Sequence, residues 1–176
     1  MFVKIGAPKS ADFSDPIGVL TDCHRRIEDF LGILETLTVA DNPEPLNPER
    51  RKALEQSLNY FRNSAPKHSA DEEESLFPRL KESGGMKTVL AKLEKQHKQI
   101  HALQASIEQL GMLWSARGIL GPLDWSKLKA DVEELSSTYS EHIQIEEHDV
   151  FPKVAAVLTA AALASVGKEM SSRRRD

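Results

Sequence analysis

The sequence predicts an all-α protein: an up-down-up-down four-helix bundle with a short additional C-terminal helix. Two observations carry this prediction. Ala, Leu, Glu and Lys are abundant among the 176 residues, and all four are strong helix formers. Apolar residues also recur at spacings of three and four along four separate stretches, which places them on one face of a helix in each stretch. Four such faces joined by short connections favour the up-down-up-down arrangement.

Caps and prolines delimit the first two helices. Asp15-Pro16 is typical of a capped helix start, and the first helix is expected to run from there to about Val39. The Asn47-Pro48 pair repeats this signal and opens a second helix. This helix is expected to end near Phe77-Pro78 or just beyond, with a kink or short break at Pro66, because proline cannot donate a backbone hydrogen bond.

Turns delimit the remaining helices. A third helix is expected over residues 86–117, after a Ser-Gly-Gly turn. After a second turn, Asp124 is expected to cap a fourth helix that continues to Phe151-Pro152. An Ala-rich stretch over residues 153–170 then predicts a shorter terminal helix packed on the bundle or on its end.

These boundaries predict three regions: an N-terminal extension (1–14), the four-helix bundle (15–158), and a C-terminal helix with a basic tail (159–176). The three arginines at 173–175 form a basic run in a chain of net charge −4, and a solvated tail is expected there. Charges of both signs are interspersed, so nucleic acid is not an expected partner. No apolar stretch predicts a membrane span and no signal peptide is apparent, so a cytoplasmic location is expected.

Ionisable residues interrupt each apolar face at one place only. A buried charge without a partner costs several kcal/mol, so these groups require a common source of compensation. Counted from the predicted turns at about 1.5 Å per residue, one histidine of each helix lies roughly 12–18 Å from the same end of the bundle. These four are His24, His68, His97 and His142. Four helices are therefore expected to deliver a histidine to one layer of the core.

Five of the six histidines belong to pairs spaced by four residues, which stack on one face of a helix. The pairs are His24 with Glu28, His68 with Glu72, His97 with His101, and His142 with Glu146. Imidazole and carboxylate ligands suit iron, zinc or manganese. The single cysteine, Cys23, excludes a thiolate cluster and disfavours a structural zinc site. The pairs therefore predict a metal site.

Two of the pairs lie in matching strings. Residues 68–78 read HSADEEESLFP and residues 142–152 read HIQIEEHDVFP, so both contain the pattern H-x3-E-E-x3-F-P. The two halves of the chain thus look like two copies of one helical hairpin, which predicts pseudo-twofold symmetry around a central site. Such a duplication suits a two-metal centre bridged by carboxylates, for which Glu72 and Glu146 are the candidates. The other acidic residues of the two strings are expected on the solvated face.

At these residues the sequence resembles the hemerythrin-like, or HHE cation-binding, family, over roughly residues 15–158. The resemblance implies two iron ions in an Fe-O-Fe type centre. It also implies a ligand set. One iron would be bound by His97, His101 and His142 and the other by His24 and His68, with Glu72 and Glu146 bridging them.

Two departures from the oxygen-carrying members affect this assignment. In the carriers the fourth-helix carboxylate lies five residues after its histidine, which corresponds here to Glu147. The apolar face instead places Glu146 inward and Glu147 about 100° further round, so Glu147 is only an additional candidate ligand. Glu28 lies on the face of His24. If it filled the position that carriers leave open for dioxygen, reversible oxygen binding would be suppressed. The role of Glu28 stays open between a ligand, a partner of a ligand, and a surface ion pair with Arg25.

The expected function is to bind or react with a small diatomic or peroxide ligand: O2, NO or hydrogen peroxide. Tyr139, three residues before His142, is expected beside the ligands, as core packing or as a hydrogen-bond donor. No catalytic residue is assigned, and whether the protein is an enzyme stays open. The alternatives are an iron store or donor for the repair of iron centres in other proteins, or a zinc-bound or metal-free structural bundle. Whether the chain has a partner protein stays unknown from the sequence.

Overall fold

The computed structural model describes residues 12–175, and all regular secondary structure in this range is helical. The all-α prediction is confirmed for these residues, while most of the predicted N-terminal extension (1–14) lies outside them. The helices are α1 (Pro16–Thr38), α2 (Pro48–Asn63), α3 (Ala65–Ala70), α4 (Phe77–Glu82), α5 (Lys87–Arg117), α6 (Pro122–Ile145), α7 (Phe151–Val157) and α8 (Ala160–Arg173). Two π-helical segments, π1 (Asp71–Leu76) and π2 (Glu146–Val150), join α3 to α4 and α6 to α7.

The predicted helix starts are confirmed at the first two helices and wrong at the fourth. The side chain of Asp15 accepts a hydrogen bond from the backbone of Gly18, and Asn47 caps α2 in the same manner. Helix α6 instead begins at Pro122, and Asp124 lies in its first turn. Proline suits that first position because its φ is already helical and its missing N–H would have no partner there. The predicted break at Pro66 is confirmed between α2 and α3.

The π segments explain how two helices pass their Phe-Pro pairs. The backbone N–H of Phe77 donates to the carbonyl of Glu72, five residues back, and the N–H of Phe151 donates to the carbonyl of Glu146. The proline after each phenylalanine has no N–H, so the regular four-residue ladder cannot continue there. The wider turn absorbs this defect. The boundary expected at Pro152 is therefore wrong, because the chain stays helical to the end of α7.

The long helices pack side by side around one interior. Helix α5 contacts α2 and α6, and α1 contacts the same two helices. The interior is divided into two apolar clusters by a layer of polar residues. The tryptophan cluster contains Trp114 and Trp125, whose rings meet edge to face at 5.1 Å. The α8 cluster contains Phe77 and Phe151 together with apolar residues of α8.

Helix α8 is separated from α7 by a short non-helical segment, and it packs on π1 and α1. Leu158 is extended, and Thr159 caps α8 by accepting a hydrogen bond from Ala162. The expectation of a solvated tail is wrong for Arg173 and Arg174. Both form ion pairs with Asp71, which is fully buried rather than solvated. No helix in the described part of the chain is long and apolar enough to cross a membrane.

Candidate metal centre

Six buried side chains converge between the two apolar clusters. Each is at most 2 % exposed. They form two groups, within each of which the candidate ligand atoms all lie within 4.8 Å of one another. The first group is His24, His68, Glu72 and Glu146, and the second is His97, His142, Glu72 and Glu146. The two groups therefore share both carboxylates.

Glu72 presents one oxygen to each group. Its Oε1 lies 3.2 Å from Nε2 of His68, one turn away on the same helical run, and its Oε2 lies 3.2 Å from Nε2 of His97. Burial, followed by the nearby carboxylate of Glu146, raises the pKa of Glu72 well above its ordinary value. Both effects disfavour a second negative charge in this dry layer. A cation between the groups would remove that penalty.

Glu146 repeats this arrangement in the second half of the chain. Its Oε1 lies 3.2 Å from Nε2 of His142, and its Oε2 lies 3.0 Å from Nε2 of His24. Burial raises the pKa of Glu146, but the two imidazoles outweigh burial and hold that pKa below its usual range. The two carboxylates thus have opposite shifts, as expected for close acidic groups that cannot both ionise freely.

These close approaches lack hydrogen-bond geometry. Both side-chain nitrogens of His68, Nε2 of His24 and all four oxygens of the two shared glutamates are buried without a hydrogen-bond partner. Each such atom costs about 1–3 kcal/mol when it is left unsatisfied. Divalent cations accept electron pairs from imidazole nitrogens and carboxylate oxygens, so this donor set fits a metal. The residues present therefore suit the cation that the sequence pattern predicts.

The second glutamate of each E-E pair holds a histidine from another helix. Oε1 of Glu147 lies 2.9 Å from Nδ1 of His24, and Oε1 of Glu73 lies 2.8 Å from Nδ1 of His97. An imidazole N–H directed at a carboxylate fixes the ring and leaves Nε2 free to bind a metal. Glu147 therefore lies beside a candidate ligand, and the structure does not bring it into either group.

A similar contact holds His142. Its Nδ1 lies 3.2 Å from Oε1 of Gln96, whose Nε2 donates to Glu141 at 3.0 Å. Gln96 is buried. The sequence does not identify it as a site residue, because a lone glutamine gives no recognisable signal. Glu73 is expected from the sequence on the solvated face, although the doubled glutamate in both strings is a signal that could have identified it.

Aromatic rings enclose the layer. Phe151 stacks on His24 with a centroid distance of 5.5 Å, and Phe77 stacks on His97 at 6.1 Å. Tyr139 meets the ring of His142 edge to face at 6.5 Å. The Tyr139 hydroxyl accepts a hydrogen bond from Gln104, so its place beside the site is in the apolar packing. These rings keep bulk water away from the imidazoles.

Two candidate ligands lie outside both groups. The side chain of His101 is exposed and belongs to neither group, so the expectation that it faces the core is wrong. Its neighbour Ile100 is fully buried, and the next residue of an α-helix points about 100° away. Glu28 is exposed and forms a 2.6 Å ion pair with Arg25. Among the three roles left open for Glu28, the structure therefore supports the surface ion pair.

Helices packed around a buried layer of imidazoles and shared carboxylates define a helical protein whose interior is compatible with metal binding. A sequence model of the Hemerythrin HHE cation binding domain matches residues 15–154. The chain belongs to this family, and the resemblance noted in the sequence is confirmed. The chain is also 31% identical, over 170 residues, to a protein of Haemophilus influenzae (strain ATCC 51907 / DSM 11121 / KW20 / Rd) described as uncharacterized. The similarity covers 94% of this chain and 93% of that protein.

Proposed function

We propose that this chain binds two iron ions and uses them to bind or react with O2, NO or hydrogen peroxide. One observation carries the proposal: each buried glutamate directs one carboxylate oxygen to each histidine group. A carboxylate in that position is suited to bridge two cations. Paired carboxylates that project inward from facing helices are typical of di-iron and di-manganese sites in helical bundles.

The ligand set that we propose differs from the family carry-over. His24 and His68 would hold one ion, His97 and His142 would hold the other, and Glu72 and Glu146 would contribute to both. Four protein ligands leave coordination positions for a small ligand, since iron commonly binds more than four. His101 and Glu28 lie outside this set, and neither fills such a position.

We further propose that the helices form the up-down-up-down bundle expected from the sequence. The mutual contacts among α1, α2, α5 and α6 support it, because each of these helices packs on two of the others. In such a bundle Glu72 and Glu146 would lie on non-adjacent helical runs and face each other across the centre.

When bound, the iron pair supplies the electron-transfer and ligand-binding chemistry that no side chain provides. The chain contributes the surroundings. Glu73 and Glu147 orient imidazoles from neighbouring helices, and the stacked rings of Phe77 and Phe151 exclude water. A dry site strengthens the interactions between charged groups inside it. A small uncharged ligand enters such a site at less cost than an ion does.

The test is a measurement of metal identity and amount on purified chain, followed by visible spectra in air and with azide, NO or hydrogen peroxide. We expect two irons per chain and spectral changes with at least one of these ligands. Zinc, or no metal at all, would contradict the proposal and favour the structural alternative. Iron that transfers readily to an apo-protein acceptor, without a spectral response to the small ligands, would favour the donor alternative.

A further inference from the structure

Two arginines at the end of α8, Arg173 and the C-cap residue Arg174, bind π1 from its outer side. Nη1 of Arg173 lies 2.9 Å from Oδ1 of Asp71, and Nη2 of Arg174 lies 2.6 Å from Oδ2. The Asp71 side chain is fully buried. Both of its oxygens are occupied by guanidinium groups, so Asp71 is not a free metal ligand although it directly precedes Glu72. Its charge is satisfied from α8.

Arg173 also contacts π1 beyond Asp71. Its Nη2 donates to the Ser75 hydroxyl at 2.8 Å, and its Nε donates to Glu74 Oε2 at 3.1 Å. One guanidinium therefore binds side chains on both sides of Glu72. The planar donor fork of arginine suits such fixed multiple contacts. The outer face of π1 is bound to α8, while its inner face carries the shared carboxylate.

This arrangement breaks the symmetry of the two matching strings. The position of Asp71 is occupied in the second string by Ile145, a partly buried apolar residue packed against the α8 cluster. The family match also ends at residue 154, before α8 begins at Ala160. The contacts of the two arginines with Asp71 therefore support the string that contains Glu72 and have no counterpart at Asp71's matching position in the string that contains Glu146.

We propose that Arg173 and Arg174 are positioning residues for the metal centre. By holding Asp71 they fix π1, and π1 in turn fixes the carboxylate of Glu72 between the two histidine groups. This inference rests on the proposed function, since it concerns the same site. Outer residues that orient a metal ligand typically change metal affinity by about 10- to 100-fold when they are replaced.

The experiment titrates the metal-free full chain with cobalt(II), whose visible absorption reports the coordination of the bound ion. The test variants are Arg173→Gln with Arg174→Gln, and Asp71→Asn alone. Glu169→Gln is the matched control, because Glu169 also ties α8 to the helical run of π1, through Arg79 at 2.7 Å, without contacting Asp71. Arg173→Lys with Arg174→Lys keeps both charges and serves as the rescue.

We expect the double glutamine variant and Asp71→Asn to bind cobalt(II) about 10- to 100-fold more weakly, with an altered spectrum. Glu169→Gln should match wild type, and the double lysine variant should recover part of the affinity. Wild-type affinity and spectrum in both test variants would overturn the inference, and so would an equal loss in Glu169→Gln.

Circular dichroism of each metal-free variant identifies a failure to fold. If the double glutamine variant does not fold, Arg173→Gln alone, which leaves the Arg174–Asp71 pair intact, decides the question by the same criteria. Wild-type chain that binds no metal overturns the proposed function, and this inference with it. Wild-type chain that binds two ions, with unaffected variants, overturns this inference alone.

Discussion

Oε1 of Glu147 lies 2.9 Å from Nδ1 of His24, although the two residues come from opposite ends of the chain. Burial raises the pKa of Glu147, but His24 and Arg25 outweigh burial and hold that pKa below its ordinary value. The carboxylate is therefore ionised and accepts the imidazole N–H. Glu73 makes the equivalent contact with His97. The second glutamate of each string thus orients the histidine of another helix.

Replacing Glu147 or Glu73 with glutamine should weaken metal binding by about 10- to 100-fold, because the imidazole loses the charged partner that fixes its ring. The overall fold should persist, since both glutamates are partly exposed. Metal affinity by competition with a chelator checks this. Glu133→Gln, at an exposed position of α6, is the control. Equal affinity in all three variants would show that these contacts do not support the site.

His101→Ala should leave metal content and affinity unchanged, whereas His97→Ala should remove at least one ion. The two residues are one turn apart on α5, but only His97 is buried among the candidate ligands. Metal analysis of both purified variants makes the comparison. A loss of metal in His101→Ala would restore the three-histidine assignment that the family resemblance implies.

Pro78→Ala should weaken metal binding while it stabilises the metal-free chain. The new N–H at position 78 can join the regular helical ladder, so π1 can convert to an α-helix and rotate Glu72 away from His97. Proline costs about 3 kcal/mol in a helix interior, so the free energy of unfolding should rise by up to about that amount. Chemical unfolding and metal titration measure the two effects. Unchanged metal affinity would mean that the π turn is not needed for the site.

His68 should make the metal-free chain sensitive to acid. Burial, and next the neighbouring His24, lowers the pKa of His68 well below the ordinary 6.5. The folded chain keeps this imidazole neutral, whereas the unfolded chain binds a proton as the pH falls below 6.5. The His68 contribution to the free energy of unfolding therefore falls by about 1.4 kcal/mol per pH unit below that pH.

Urea unfolding of metal-free wild type and His68→Leu at several pH values tests this relationship. Their difference in unfolding free energy should be constant above about pH 7, where both states hold the imidazole neutral. Below that, wild type should lose stability more steeply than the variant. Parallel pH profiles for the two proteins would contradict the assignment of His68 as a buried neutral imidazole.

The histidine layer could be predicted because its information is local. Spacings of four residues and the apolar face of each helix are enough to bring His24, His68, His97 and His142 to a common depth. The prediction failed at His101 because a spacing of four residues does not show where the buried face of a helix ends. Packing against the neighbouring helices places that edge between Ile100 and His101.

Other features depend on contacts between distant parts of the chain. Arg173 and Asp71 are 102 residues apart, and nothing local distinguishes this pair from two solvated charges. The sequence predicts a helix end near or just beyond Phe77-Pro78 and another at Phe151-Pro152, because proline usually ends a helix. The π turns accommodate the two prolines, and packing of the following residues into the α8 cluster stabilises the helices beyond Pro78 and Pro152.

The central claim is that Glu72 and Glu146 bridge two metal ions. The most direct test is the magnetic behaviour of iron-loaded chain at low temperature, combined with the number of irons per chain. Two irons whose spins are coupled, and whose coupling is lost in Glu72→Gln, are the predicted result. One iron per chain, or two irons with independent spins, would contradict the claim.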